Sequence, residues 1–347
     1  MKLGVLTCWG GGKLKNIGDY VQSVAAEQFA GTDAVRVERE HLDDYAGGPT
    51  KVVMNGWFML HPDRFPPSDD IYPLFLSFHV RPACAPAFFT DRTIAYLKRF
   101  EPIGCRSQDM VALLERYGIR GEFTSCLTLT LGESFQHIET QDPPLFVDPY
   151  YRRVRRGAKV AFLLQFLKRL PYLVCNSVRV SRIAGKMRAF HYWGMTRSLV
   201  RYLYAAEFLR AYSPVFRDEV LFAARFVTHD VPKEECRDDE AMFAKARRLL
   251  ALYARAPFVV TGRLHCTLPC VGMGTPVWTT VHPAMVTGRF GGNQDFMNLL
   301  PFDGDRLAVP SDGRKLDLSS RPPVKDGHVP FMRELARRCR AFMGGCS

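Results

Sequence analysis

Short apolar runs and amphipathic stretches follow one another along most of this chain. Residues 3–8, 35–37, 52–54, 75–79 and 258–260 are short runs rich in apolar residues, and 145–148 opens a second series. Runs this short predict strands buried on both faces, as in a parallel sheet. Residues 123–131 (FTSCLTLTL) are rich in Thr and Leu and predict a further strand, and 222–228 (FAARFVT) another. Between the strands, residues 20–29, 108–117 and 238–254 carry apolar side chains at helical spacing. Residues 330–343 predict an Arg-rich terminal helix. The expected class is α/β, with a βα series in each half. A polar stretch, 132–144, ends in Pro143-Pro144 and reads as a linker. It divides the chain into 1–140, 145–330 and a terminal helix, 331–347.

The stretch 258–278 carries the densest pattern. Phe258-Val259-Val260 is a strand, and Thr261-Gly262 breaks it. Threonine can cap a helix there, and glycine lets the backbone turn. A short helix follows through His265, Cys266, Leu268 and Cys270, crossing Pro269 and closed by Gly272 and Gly274. Thr275 to Trp278 starts the next strand. In open parallel sheets, ligands sit at the carboxyl ends of strands, where helix N-termini begin. Arg263 and His265 fall at that edge. They form an anion pocket, or Arg263 is an ordinary surface charge.

The first strand leads into a glycine-rich loop, 9–19, and then a helix. That order suits a phosphate or nucleotide, although neither GxGxxG nor a Walker lysine is present. Asp19 opens the helix, either as an acid/base group or as its N-cap. His79, at the carboxyl end of its strand, meets substrate or bonds a backbone carbonyl. His229, after 222–228, mirrors the Arg263/His265 edge. The polar loop 289–296, beginning with Arg289, is a candidate ligand contact.

Composition narrows the field. A chain of 347 residues with 47% hydrophobic residues suggests two ordinary globular domains. The net charge of +12 points to anionic partners. Ten cysteines are scattered without CxxC spacing and read as buried thiols, not metal ligands or disulfides. No signal peptide is visible and no apolar run reaches about 18 residues, so a cytoplasmic location is expected. Between 151 and 217 there are fifteen Lys or Arg against one acidic residue, Glu207, interleaved with Leu, Tyr and Phe. These are basic amphipathic helices, a solvated face or a patch resting on the anionic inner face of a membrane. No nucleic-acid motif accompanies the charge.

Thr261-Gly262-Arg263-Leu264-His265, with Gly274-Thr275-Pro276-Val277 beyond it, resembles the signature of the polysaccharide pyruvyl transferase family, T-S-R-L-H followed by G-T-P-V. Asn16-x-Gly18-Asp19 is similar to the family's N-x-G-D loop, and Gly104-Cys105-Arg106-Ser107 to its G-x-R-D element. Gly262 stands where serine is usual, and Ser107 where aspartate is. The resemblance implies a GT-B-like fold, two Rossmann-like domains facing across a cleft, with the basic helical segment as an insertion. It implies phosphoenolpyruvate as donor substrate, no other cofactor and no metal. The acceptor would be a sugar diol, in a polymer or lipid-linked, and the product a pyruvate ketal. Arg263 would hold the donor, with Asn16, Gly18, Arg106 and Arg289 as further binding residues. His265 would be the acid, Asp19 the acceptor base, and His229 a second phosphate contact. Two alternatives remain: a GT-B glycosyltransferase using a nucleotide sugar, and a non-catalytic membrane-surface protein of polysaccharide export.

Overall fold

A computed structural model describes residues 1–9, 14–154, 158–187, 198–282 and 290–344. Among the described residues, the first half carries nine strands: β1 (Lys2–Thr7), β2 (Leu14–Asn16), β3 (Val35–Glu38), β4 (Thr50–Val53), β5 (Gly56–Phe58), β6 (Ile71–Leu74), β7 (Phe78–Val80), β8 (Ile103–Cys105) and β9 (Gly121–Phe123). Two four-stranded parallel sheets result, ordered β3-β1-β4-β6 and β5-β7-β8-β9. They lie end to end, because β4 runs almost directly into β5 and β6 into β7. The expected strand over 75–79 is therefore interrupted. Ser77, at φ 57°, turns the backbone between β6 and β7. Its hydroxyl accepts from Leu127 N at 2.7 Å, which fixes that turn.

Four helices belong to this half: α1 (Ile17–Ala30), α2 (Ala85–Phe88), α3 (Asp91–Lys98) and α4 (Gln108–Arg116). The FTSCLTLTL stretch is not a strand. After β9 the chain coils as a 3-10 helix over Leu127–Glu133. Leu127 through Leu131 are all buried. Alternating Thr and Leu fits a strand with one wet face, but here both faces are covered and packing overrides the local preference.

The second half holds β10 (Leu145–Val147), then helices α5 (Lys159–Cys175), α6 (Ser177–Lys186), α7 (Ser198–Tyr212) and α8 (Asp218–Ala223). It continues with β11 (Arg225–Val227), β12 (Asp230–Pro232), α9 (Asp239–Arg255), β13 (Val259–Thr261), α10 (Leu264–Met273), β14 (Val277–Val281), β15 (Asn298–Asp303), β16 (Arg306–Leu307) and α11 (Val329–Gly344). The stretch 222–228 is thus divided: its first residues end α8, and only Arg225–Val227 pair as a strand. Six strands form one sheet, ordered β11-β10-β13-β14-β15-β16, parallel except for the closing β15–β16 hairpin. The molecule is a mixed α/β protein built on parallel sheets.

Two features tie the halves together. β2 and β12 pair antiparallel, with Asn16 opposite Asp230. The largest buried cluster also draws on both halves, joining Val5, Tyr20 and Val24 of the first to Phe243, Val259 and Leu268 of the second. A separate cluster, around Phe146, Phe208 and Tyr212, seats α6 and α7 on the second sheet. Among the described residues, no helix is long and apolar enough to cross a membrane.

Candidate active site

A cleft of about 1020 Å³ opens where carboxyl ends of strands from both halves meet. From the first half, Asn16 and Asp19 of the α1 entry, Trp57 of β5, His79 of β7 and Arg106 after β8 line it. His229, Arg263 and His265 face them from the second half. The volume is sufficient for two small substrates. Asn16, Gly18, Asp19, Arg106, His229, Arg263 and His265 are thus brought to one place. Arg289 lies outside the described residues. The rest of its loop docks on protein: buried Asn293 donates to the Arg106 carbonyl at 3.2 Å and bonds the Ser125 hydroxyl.

Helix α1 is capped by Asn16, whose Oδ1 accepts from Gly18 N at 3.1 Å. Asp19 is therefore not the cap. It sits within the first turn, with its carboxylate 4.0 Å from the buried guanidinium of Arg39. Burial pushes the Asp19 carboxyl above its ordinary value, while Arg39 and Arg106 pull it down without cancelling the effect. Such a carboxyl is suited to proton transfer.

Gly18 explains how two imidazoles reach the start of α1. A Cβ there would lie 3.2 Å from His265 Nδ1 and 3.3 Å from His229 Nδ1. His229 is buried and anchored on three sides. Its N–H donates to Asp148 Oδ2 at 3.0 Å, and its carbonyl accepts from Ile17 N at 2.8 Å. Its Nε2 lies 2.7 Å from the Tyr253 hydroxyl. Behind it, burial alone would raise the Cys266 thiol, but Cys270, His229 and Tyr253 together bring it below the ordinary value.

His265 lies in the first turn of α10, where its backbone departs from helical geometry (φ −80°, ψ 19°). Its Nε2 is 3.3 Å from Arg106 Nη1. A guanidinium can only donate, so Nε2 is the acceptor in this pair. Arg106 is itself buried, its backbone N donating to Phe78 O at 3.1 Å. The next residue, Ser107, caps α4 by accepting from Met110 N at 3.3 Å. Serine thus does the capping that aspartate does equally well.

Arg263 is held by two carboxylates. Its Nε donates to Asp148 at 2.9 Å and its Nη2 to Asp230 at 3.3 Å. Burial works against the Asp148 charge, yet Arg263 and His229 outweigh it and its pKa is lowered. The turn is closed by Thr261, whose hydroxyl accepts from Arg263 N and donates to Val147 O, each at 3.0 Å. A side chain at Gly262 would crowd Thr280, whose Oγ1 lies 3.2 Å from the Cβ position.

Several cleft residues, Trp57, Arg81 and Arg116 among them, were not singled out as site residues from the sequence. Trp57 lines the wall, with the Arg39 guanidinium over its ring at 4.6 Å. Arg81 follows β7, and Arg116 projects from α4 beside Asp109 and Leu113. The α4 spacing 109, 112, 113, 116 is a helical face and was available as a signal. Arg81, two residues past His79, was available as a cation at a strand's carboxyl end.

A model of the family described as polysaccharide pyruvyl transferase matches residues 16–281, most of the chain. Comparison with curated proteins finds no match, and comparison with solved structures finds none. The match runs from the Asn16 cap through β14 and takes in both walls of the cleft, so this chain belongs to the polysaccharide pyruvyl transferase family.

Proposed function

We propose that the protein transfers the pyruvyl group of phosphoenolpyruvate onto two hydroxyls of a sugar, forming a pyruvate ketal during polysaccharide biosynthesis. The architecture is read as GT-B-like, with residues 1–140 on the acceptor side and 145–330 on the donor side. A cytoplasmic site of action and a lipid-linked acceptor fit this reading. The observation that carries it is the cleft itself, where four arginines (81, 106, 116 and 263) and three imidazoles (79, 229 and 265) line the space around the largely buried Asp19 carboxyl. Such a lining suits a small trianion next to a proton donor and a proton acceptor.

In this reading Arg263, fixed by Asp148 and Asp230, and Arg106 hold the donor's phosphate and carboxylate. His265 delivers a proton to the donor methylene, which makes C2 electrophilic. One sugar hydroxyl loses its proton to Asp19 and bonds to C2, and inorganic phosphate leaves with its bridging oxygen. The second hydroxyl then closes the ketal, its proton passing to the departing phosphate, while the proton held by Asp19 returns to His265. His229 contacts the departing phosphate.

The test pairs a thermal-shift screen with kinetics. Phosphoenolpyruvate should raise the melting temperature and nucleotide sugars should not. Arg263→Ala should weaken donor binding, and His265→Gln should lower turnover far more than donor affinity. Stabilisation by nucleotide sugars alone would point instead to a glycosyltransferase.

A further inference from the structure

We infer that the outer face of α5 and the start of α6 is a docking surface for an anionic lipid bilayer. The α5 helix packs Phe162, Phe166 and Leu173 inward, yet it is apolar on the side that faces water as well. Its inner side carries Arg169, buried and donating to Glu207 at 2.6 Å, and Gln165, donating to the same carboxylate at 2.8 Å. Its outer side carries Val160, Leu163, Leu164, Leu167, Leu170 and Val174, each at least 43% exposed, and Val178 extends the row into α6. The spacing is that of one helical stripe. Among the described residues, nine of the seventeen exposed large apolar side chains fall between Val160 and Tyr202. Scattered apolar side chains need no explanation, but a row of this length does.

Charge selects the occupant. The exposed cations Lys159 and Lys168 stand on α5 itself, and Arg182 and Lys186 on α6. The lone acidic residue of the segment, Glu207, is buried and neutralised by Arg169. A second copy of this chain would set one basic face against another, which disfavours a symmetric pair. Nucleic acid would satisfy the cations and leave the leucines wet. An anionic bilayer satisfies both, with leucines among the acyl chains and lysines at the head groups. This face is separate from the cleft, so its failure would leave the catalytic reading intact.

Vesicle flotation of the full chain tests this, using phosphatidylcholine vesicles with and without phosphatidylglycerol. The protein should float with the phosphatidylglycerol vesicles and do so less as salt rises. The triple variant Leu163→Gln, Leu164→Gln, Leu167→Gln should bind about tenfold or more weakly. Lys159→Gln with Lys168→Gln should weaken binding to the phosphatidylglycerol vesicles selectively. All substitutions are on exposed positions, and an unchanged melting temperature verifies the fold. No flotation, equal flotation with both vesicle types, or an undiminished triple variant would overturn the proposal. So would light scattering showing a dimer that the triple variant converts to monomer, because the face would then be covered by protein.

Discussion

Gly18 leaves little room for a side chain, since a Cβ there would meet Asn16 Oδ1 and two imidazoles at 3.1–3.3 Å. A methyl there would press on the ring nitrogens of His229 and His265, each within about a tenth of an ångström of the other's separation. Gly18→Ala should leave the fold intact and lower kcat about a hundredfold, because misplaced catalytic groups cost that much. Wild-type turnover in that variant would mean the imidazoles do not act together. Asp19 makes a two-sided prediction. Its raised pKa means the environment disfavours the charged form. Asp19→Asn should therefore raise the melting temperature near neutral pH. The gain should vanish below the ordinary carboxylate pKa of about 3.9, where folded and unfolded wild type both carry a neutral carboxyl. The same change should lower turnover about a hundred- to ten-thousandfold. Wild-type activity should fall, on acidification, at a pH above the ordinary carboxylate range, since the base must be ionised. Equal melting temperatures at neutral pH would contradict the first half, and a profile unchanged by Asp19→Asn the second. His229, Arg263 and His265 were legible because they stand just past short apolar runs, and Arg106 because Gly104-Cys105-Arg106-Ser107 is similar to a family element. Arg39 was not, because it stands behind Asp19 through tertiary packing that spacing does not encode.

At the scale of elements, α10 and the 3-10 segment Leu127–Glu133 cross with their backbones nearly touching. A Cβ at Gly272 would fall 2.0 Å from Leu129 O, and one at Gly132 would fall 1.9 Å from Gly272 O. Gly272→Ala forces the backbone itself to move and should cost about 3 kcal/mol or more. For a chain of 347 residues unfolding as one unit that corresponds to a loss of roughly 4 °C in Tm. A smaller shift than a degree or two would show that the crossing is looser than described. The crossing also explains what the pattern conceals. FVVTGRLHCTLP announces its strand and helix because apolar run, turn glycine and helical spacing agree. LTLTL announces a strand and becomes a coil, since its backbone must fit between α1, α10 and α11. Residues 222–228 mislead similarly, because an apolar run that ends one helix and starts one strand has no internal mark.

At the scale of the whole molecule, the shared core determines how the protein comes apart. Side chains from both halves are buried against one another around Tyr20, Phe243 and Val259. Neither half keeps that cluster covered alone. Calorimetry should therefore show one transition, with calorimetric and van't Hoff enthalpies in agreement. Two resolved transitions would mean that the halves unfold independently. The pairing of β2 with β12 has a further consequence, in time. Residues 14–16 emerge early in synthesis, and their partners at 230–232 leave the ribosome some two hundred residues later. Until then the entry of α1 has no neighbour on that side, and His229, whose carbonyl receives Ile17 N, does not yet exist. If the cleft acts as proposed, the nascent protein is chemically silent for most of its translation, and premature termination anywhere before α10 should yield an inert product.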